Sequence, residues 1–348
     1  MRDIVPHVTV AICTQSRPKL LAATLHCVLR QQYPADHYEV LVVDNAPRDE
    51  STAQVVRELQ SEFSSLRYLA VLTAGLSHAR NAAVHFSQAE LMVFVDDDIV
   101  CEPGWLAHLV APFAGDPDQR IAAVGGEVIP VYSEGVHRGG VQIYRPLRLR
   151  SEPGPIQNRQ MLMGANMAFR RACLLDVDLF DARVGRKGAR LLAGDENRPI
   201  ERLRRCGLEI WFVPAARVFH ELPRARTSVR YAVQHGYDSA RSRVLTQIGA
   251  LEEQRRSAAP YLISRLVVSA IKLPVLAFQA GLLALFLQRN ALAPVVVRIA
   301  RTLGYINEIK RQLFSKPVIS NRKGSQRTAS ETAERPAAAS SMARASAL

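Results

Sequence analysis

Three consecutive carboxylates end the apolar run Leu91-Met-Val-Phe-Val95-Asp-Asp-Asp98. Like charges this close repel one another, so the cluster is costly unless a cation neutralises it. Oxygen ligands in small number suit Mg2+ or Mn2+, ions that complete their shell with water and phosphate. The bland alternative is a solvated acidic turn or a helix cap, and a rigid apolar strand running into the triplet weighs against it. Asp44 closes a second apolar run, Glu39–Val43, and Thr14 closes a third, Val8–Cys13.

The elements that hold these residues can be read from periodicity. Val8–Cys13 is a short β-branched run, followed by Ser16 as an N-cap and Pro18 in a first helical turn. Leu21, Leu25 and Val28/Leu29 then recur at helical spacing. Glu39–Val43 is a strand, Ser51 or Thr52 caps a helix carrying Val55, Leu59 and Phe63, and Leu66–Leu72 is a third strand. Ser77 caps a third helix, and Leu91–Val95 is a fourth strand. Buried strands separated by amphipathic helices predict an α/β fold with a mainly parallel sheet. Ligands of such sheets sit beyond the carboxyl ends of the strands, where Thr14, Asp44 and Asp96–Asp98 fall. From Pro103 to Arg226 the pattern is mixed, with a helix around Trp105–Val110, a strand at Ile121–Val131 and a long loop from Ser133 to Arg159 that reads as functional. Thr227–Leu245 reads as an arginine-bearing helix. Tyr261–Leu287 is strongly apolar, but its uninterrupted part, Leu273–Leu287, is shorter than the roughly 20 residues a span requires. A packed helix, an interfacial helix with Arg265 and Lys272 snorkelling, and a full span all remain open.

Several spaced segments together resemble the family 2 glycosyltransferases, inverting enzymes of the GT-A fold with nucleotide-sugar donors. The resemblance covers about residues 5–222. Val8–Thr14 with Arg17-Pro18 is similar to that family's opening strand and loop, and Glu39–Asn45 to its second strand. Gly75-Leu-Ser-His-Ala-Arg80-Asn81 is similar to its G-x-x-x-A-R-N element, Asp96–Asp98 to its D-x-D metal motif, and Gly164-Ala-Asn166 to its acceptor-side segment. Leu179-Phe-Asp181 through Gly185-Arg-Lys-Gly188 resembles the run before the catalytic acid, and Trp211–Pro214 with Val218-Phe-His220 the closing strand and histidine.

The resemblance implies a GT-A, Rossmann-like nucleotide-binding fold and a single in-line displacement. Arg202-Leu203 and Gly207 set the register of the family's base, and here the pair before them reads Asp195-Glu196, reversed from the family's Glu-Asp. By position Glu196 is the base and by residue type Asp195 is; Glu196 is preferred, with its neighbour orienting it, and a capping carboxylate pair is the structural alternative. Asp98, with Asp97 or Asp96, is expected to hold Mg2+ or Mn2+, Asp96 to meet the ribose, and His220 to complete the metal site or bind pyrophosphate. Asp44 is expected to accept a hydrogen bond from uracil or thymine, while Thr14 leaves the backbone open to the base. Arg17 and Arg80 are expected to reach base or phosphate, and Asn166 to touch the acceptor or the donor sugar.

Charge is unevenly placed. Lys and Arg number 45 against 32 Asp and Glu, a net +13; residues 1–200 carry a net −2 and residues 201–348 a net +15. A basic region beside apolar helices fits an anionic membrane surface better than nucleic acid, which is not expected as a partner. Five scattered cysteines without C-x-x-C argue against a disulfide framework or a zinc site and fit a reducing compartment. The expected organisation is 1–102, nucleotide-sugar binding; 103–226, acceptor binding and catalysis; 227–314, a basic and apolar, membrane-associated helical region; and 315–348, a disordered basic tail. The expected activity is transfer of a sugar from a UDP- or dTDP-sugar to a glycan or lipid-linked acceptor, in the cytoplasm at the inner face of the membrane. Two other readings compete: a catalytically silent nucleotide-binding anchor on anionic membrane or nucleic acid, and a processive polysaccharide synthase. The second lacks a Q-x-x-R-W segment.

Overall fold

A computed structural model describes residues 7–314, apart from 46, 158, 189 and 287; the tail expected at 315–348 lies outside the described residues. The first hundred residues alternate as the hydropathy pattern requires: β1 (Val8–Thr14), α1 (Pro18–Val28), β2 (Tyr38–Asn45), α2 (Ser51–Gln60), β3 (Leu66–Val71), α3 (Leu76–Phe86), β4 (Leu91–Asp96) and the short β5 (Ile99–Cys101). α4 (Trp105–Ala114), β6 (Ile121–Val131), β7 (Gly154–Pro155), β8 (Asn166–Arg170), α5 (Arg171–Asp176), α6 (Asn197–Arg205) and β9 (Glu209–Glu221) complete the sheet and its cover. The strand order is β3-β2-β1-β4-β8-β6-β9-β5, with β7 paired to β9.

β1 runs parallel to both β2 and β4, with Thr14 opposite Asp44 and Cys13 opposite Asp96. The strand ends therefore meet at one edge, which is why residues far apart in sequence share a site. β8 enters antiparallel to β4 and makes the sheet mixed. One face of the sheet buries Val10, Ile12, Val40, Val42, Val93 and Trp105, and the other buries Ala11, Leu41, Met92, Phe94, Phe169 and Phe180. Alternate residues of each central strand thus feed opposite cores, as expected of a sheet covered on both faces.

Three helix starts differ from the sequence expectation. Arg17, not Ser16, is the N-cap of α1, and Ser16 takes a left-handed φ of 51°. A non-glycine residue in that region is uncommon, and the turn it makes aims Arg17 back at the β4 carboxylates. α2 begins at Ser51 with Glu50 as its cap. Ser77 lies inside the first turn of α3; its hydroxyl donates to Val184 O at 2.8 Å instead of capping the helix.

Beyond β9 a 3-10 turn (Arg224–Thr227) leads into α7 (Val229–Glu253), α8 (Ala259–Leu285) and α9 (Arg289–Phe314). α7 extends well past the expected Leu245 and begins at Ser228, whose Oγ accepts from Tyr231 N. Its far end docks on α6. Glu253 receives Arg198 at 2.6 Å, Arg202 at 2.8 Å and Arg205 at 2.6 Å, three arginines on one helical face. Among the described residues α8 is long and apolar enough, by length and composition, to cross a membrane. It runs through Lys272 and Pro274, so the uninterrupted apolar run understated its length.

Candidate active site

The carboxyl edge of the sheet opens on a cleft of about 300 Å3 walled by Cys13, Thr14, Gln15 and Arg17 of the β1 end, Asn45 and Leu76, Asp96, and Arg186, Gly188, Leu191 and Arg226. Three arginines in one concave site make it a receptor for clustered negative charge.

Asp96 lines this cleft, and Asp98 and His220 are buried beside it; ligand atoms of the three all fall within 4.8 Å of one another. β5 pairs antiparallel with β9 and sets Ile99 opposite His220, so the histidine reaches the triplet because of strand register. His220 Nε2 is 2.9 Å from Asp98 Oδ1, a buried oxygen that receives no well-aligned hydrogen bond. Two carboxylates and an imidazole with a spare buried lone pair fit Mg2+ or Mn2+. Burial opposes ionisation of Asp98, yet His220, Arg226 and Arg17 hold its carboxyl well below the usual range. Arg17 and Arg226 donate to Asp98 Oδ2 at 2.8 Å and 3.0 Å.

Asp97, expected among the metal ligands, is turned inward. It is fully buried, accepts from Thr14 Oγ1 at 2.5 Å and pairs with Arg17. Asp97 and Asp98 form the turn between β4 and β5, and there the central carboxylate points to Thr14 and Arg17 while Asp98 points to His220. Burial pushes it up to about 7, against the pull of Arg17. Asp96, expected at the ribose, lines the cleft and also groups with Asp98 and His220. Thr14 buttresses Asp97 from the cleft wall.

Arg80 and Asn166 are likewise placed differently from the expectation. Arg80 is buried beneath the cleft, donating to Asp195 Oδ2 at 2.9 Å and Gly164 O at 3.0 Å, with Asp96 Oδ1 at 3.7 Å. It joins the two acidic sites and does not face the cleft. Gly164 must be glycine here, because a Cβ would collide with that guanidinium. Asn166 is fully buried: its Oδ1 accepts from Trp105 Nε1 at 3.0 Å, and its Nδ2 donates to Glu127 O at 3.0 Å and Ala216 O at 2.8 Å. Its amide is spent tying β8 to β6, β9 and α4, which leaves nothing for a sugar. Asp44 is 1% exposed and accepts from Tyr68 Oη at 2.9 Å; burial raises its pKa. Its neighbour Asn45 lines the cleft and holds the turn into α3, accepting from Gly75 N at 2.7 Å.

Asp195 and Glu196 stand at the start of α6. Asp195 is buried in its pair with Arg80, with Ser77 Oγ at 3.4 Å. Gly185, at φ 93°, passes so close that a side chain would strike Ser77 and crowd Asp195. Glu196 makes no capping bond. Burial, reinforced by the Asp195 charge, pushes its carboxyl up to about 8. Two adjacent carboxyl groups are thus set apart: one committed to an arginine, the other poised to take a proton near neutrality.

Arg186, Arg226 and Tyr144 also belong to the site and went unassigned in the sequence. Tyr144, in the long loop, packs edge-on against His220 with ring centroids 6.0 Å apart and shares a 2.7 Å hydrogen bond with Tyr231 of α7. The loop does return to the site, as its length implied. Arg226 lies among many arginines of the basic region, with no spacing to mark it. Arg186 sits in the Gly185–Gly188 run without a role being legible.

Residues 9–177 match the sequence model of glycosyl transferase family 2. A glucosyl-dolichyl phosphate glucuronosyltransferase of Haloferax volcanii is 25% identical over 236 residues, 65% of this chain and 72% of that protein. Glycosyltransferase AglE of the same organism is 30% identical over 39% of this chain and 43% of its own length. A β-monoglucosyldiacylglycerol synthase of Trichormus variabilis is 27% identical over 32% of this chain and 25% of its own. Among solved structures, the mannosyltransferase PcManGT of Pyrobaculum calidifontis, in complex with GDP-Man and Mn2+, aligns with a TM-score of 0.57 at 20% identity, covering 90% of this chain and 89% of that one. That likeness establishes the GT-A fold. The domain that begins in the first strand and carries the aspartate triplet, residues 9–177, matches glycosyl transferase family 2, and the chain is a glycosyltransferase.

Proposed function

We propose that the protein transfers a sugar from a nucleoside-diphosphate donor to a lipid-linked acceptor, with inversion, by a single displacement. The observation that carries this reading is the Asp96–Asp98–His220 group, whose Asp96 lines a cleft walled by Arg17, Arg186 and Arg226, joined through Arg80 to the Asp195-Glu196 pair.

The donor diphosphate lies against the three arginines, whose planar forks match phosphate oxygens. Asp96, Asp98 and His220 would hold Mg2+ or Mn2+, which would supply Lewis-acid neutralisation of the leaving diphosphate. Glu196 accepts the proton of the acceptor hydroxyl as that oxygen forms its bond to the anomeric carbon. The bond from that carbon to the diphosphate oxygen breaks on the opposite side, and the electron pair leaves with the nucleoside diphosphate. Asp195, gripped by Arg80, keeps its neighbour aimed, and its charge raises the basicity of the ionised Glu196 carboxylate that takes the proton. Asn45 and Asp44 close the β2 end where a nucleobase would lie, and a carboxylate acceptor there favours uracil or thymine.

The acceptor class rests on α8 and on the relatives whose names carry dolichyl phosphate or diacylglycerol. The same features support a position at the inner face of the cell membrane, on its anionic surface. Turnover of a panel of nucleotide sugars by the full chain, with and without Mn2+ and with membranes added, tests the whole reading. Metal-dependent release of UDP or dTDP is the expected outcome, and a chain inert toward every donor under all these conditions would refute it.

A further inference from the structure

Two hollows outside the cleft meet at one side chain. The first, about 380 Å3, begins at Gly194 and Asn197, on either side of the Asp195-Glu196 pair, and runs past Arg243 of α7 to Tyr261 and Arg265 of α8. The second, about 270 Å3, lies between α8 and α9 and is lined by Arg265, Lys272, Arg298 and Arg301 among apolar residues. Arg265 lines both. From Gln254 to Asn307 the chain carries seven basic residues and no Asp or Glu. Among the described residues, none of these four cations makes an ion pair; Arg265 rests on the Tyr305 ring at 5.0 Å. The hollow that flanks the Asp195-Glu196 pair thus shares a wall, at Arg265, with a pocket of uncompensated positive charge.

The wall of that pocket is also apolar. Ile271 and Val275 line it and are 64% and 62% exposed, and Phe278, 70% exposed, continues the same helix outward. Four cations at the middle of a 27-residue apolar helix and its neighbour suit the headgroup layer of a bilayer, where charge stays hydrated and an apolar face dips into the acyl region. Charge and surface together select a ligand with a phosphate head and a long hydrocarbon tail.

Building on the proposed transfer to a lipid-linked acceptor, we propose that the pocket between α8 and α9 holds the phosphate of a glycosylated polyisoprenyl phosphate acceptor. Its tail runs along Ile271, Val275 and Phe278, and its sugar end is led through the first hollow to Glu196. Lys272, Arg298 and Arg301 supply charge-assisted contacts to the phosphate, and Arg265 stands at the junction.

Vesicle flotation of the full chain tests this at physiological salt, where nonspecific attraction is screened. Phosphatidylcholine vesicles carrying dolichyl phosphate are compared with vesicles brought to the same surface charge by phosphatidylglycerol. The wild-type chain is expected to bind the dolichyl phosphate vesicles about tenfold more tightly. Arg298→Ala/Arg301→Ala and, separately, Lys272→Ala, all at exposed positions, should lose that preference with unchanged melting curves. Arg255→Ala/Arg256→Ala removes two charges from the same basic stretch outside the pocket and should keep it. Equal binding to the two vesicle types would reduce the pocket to general attraction for anionic membrane and overturn the proposal. So would a preference that survives both pocket variants, or one abolished by inorganic phosphate at low concentration, which would mark a free-phosphate site. Failure of every donor to turn over would strike the transfer reaction while leaving the vesicle preference standing, so the two failures are distinguishable.

Discussion

Asp97 and Asp98 are adjacent and chemically identical, and the fold gives them opposite tasks. Asp98 faces His220 with a free oxygen, whereas Asp97 is packed under Thr14 and Arg17. Asp98→Ala should therefore abolish Mn2+ binding, read by calorimetry, and lower donor turnover by about a thousandfold or more, the scale of losing a principal electrostatic stabiliser. Asp97→Asn should leave the ion bound and weaken the nucleotide instead, because Arg17 loses a partner that positions it. Glu196 makes the second residue-scale prediction. Its carboxyl titrates near 8, and only the ionised form can take a proton, so transfer should rise with pH and level off above about 8. Glu196→Gln should remove that limb together with the activity. The stability effect has the opposite sign. A carboxyl raised from 4.5 to about 8 binds a proton in the folded state that the unfolded chain has already lost, so wild-type stability falls as pH rises between those values. The glutamine variant lacks this term, and its advantage in melting temperature should open above pH 4.5 and be largest beyond 8.

At the scale of elements, the pieces farthest from any ligand set the geometry. Asn166 satisfies one indole and two carbonyl groups at the start of β8, so Asn166→Ala strands buried polar groups worth about 1–3 kcal/mol each. A melting temperature lowered by several degrees with an unchanged donor KM is expected; a raised KM and an unchanged melt would return the residue to the substrate. Strands β1 to β4 and the ligand-bearing edge were legible because apolar runs end in Thr14, Asp44 and Asp96, and strand polarity alone brings those ends together. The inward turn of Asp97, Arg80 and Asn166 was not legible. A polar residue in a functional segment looks the same in sequence whether its partners are a ligand or the backbone of a distant strand. Arg226 and Tyr144 were hidden for a related reason: each arrives from a segment whose path depends on contacts with β9 and α7, and no periodicity encodes that path. The start of α1 was misjudged by one residue because Ser16, a good cap by type, takes a left-handed φ and Arg17 occupies the cap position instead.

Across the whole molecule, the acidic face of the sheet and the basic helices divide the labour that the charge distribution announces. α8 leaves Ile271, Val275, Phe278 and Leu285 in the open, an apolar face too extensive to be a by-product of ordinary surface composition. Ile271→Lys/Phe278→Lys should shift the protein from the membrane fraction to the soluble fraction in sedimentation, while nucleotide binding at the sheet edge persists. Unchanged sedimentation would mean that α8 is not what attaches the protein to lipid.

The buried guanidinium of Arg80 has one more consequence. It bridges the carboxylate that ends β4 and the one that opens α6, and it leans on the Phe180 ring and the Gly164 carbonyl. A strut of this kind makes the metal-side and base-side carboxylates one rigid unit: neither can shift without leaving a buried charge short of its partner.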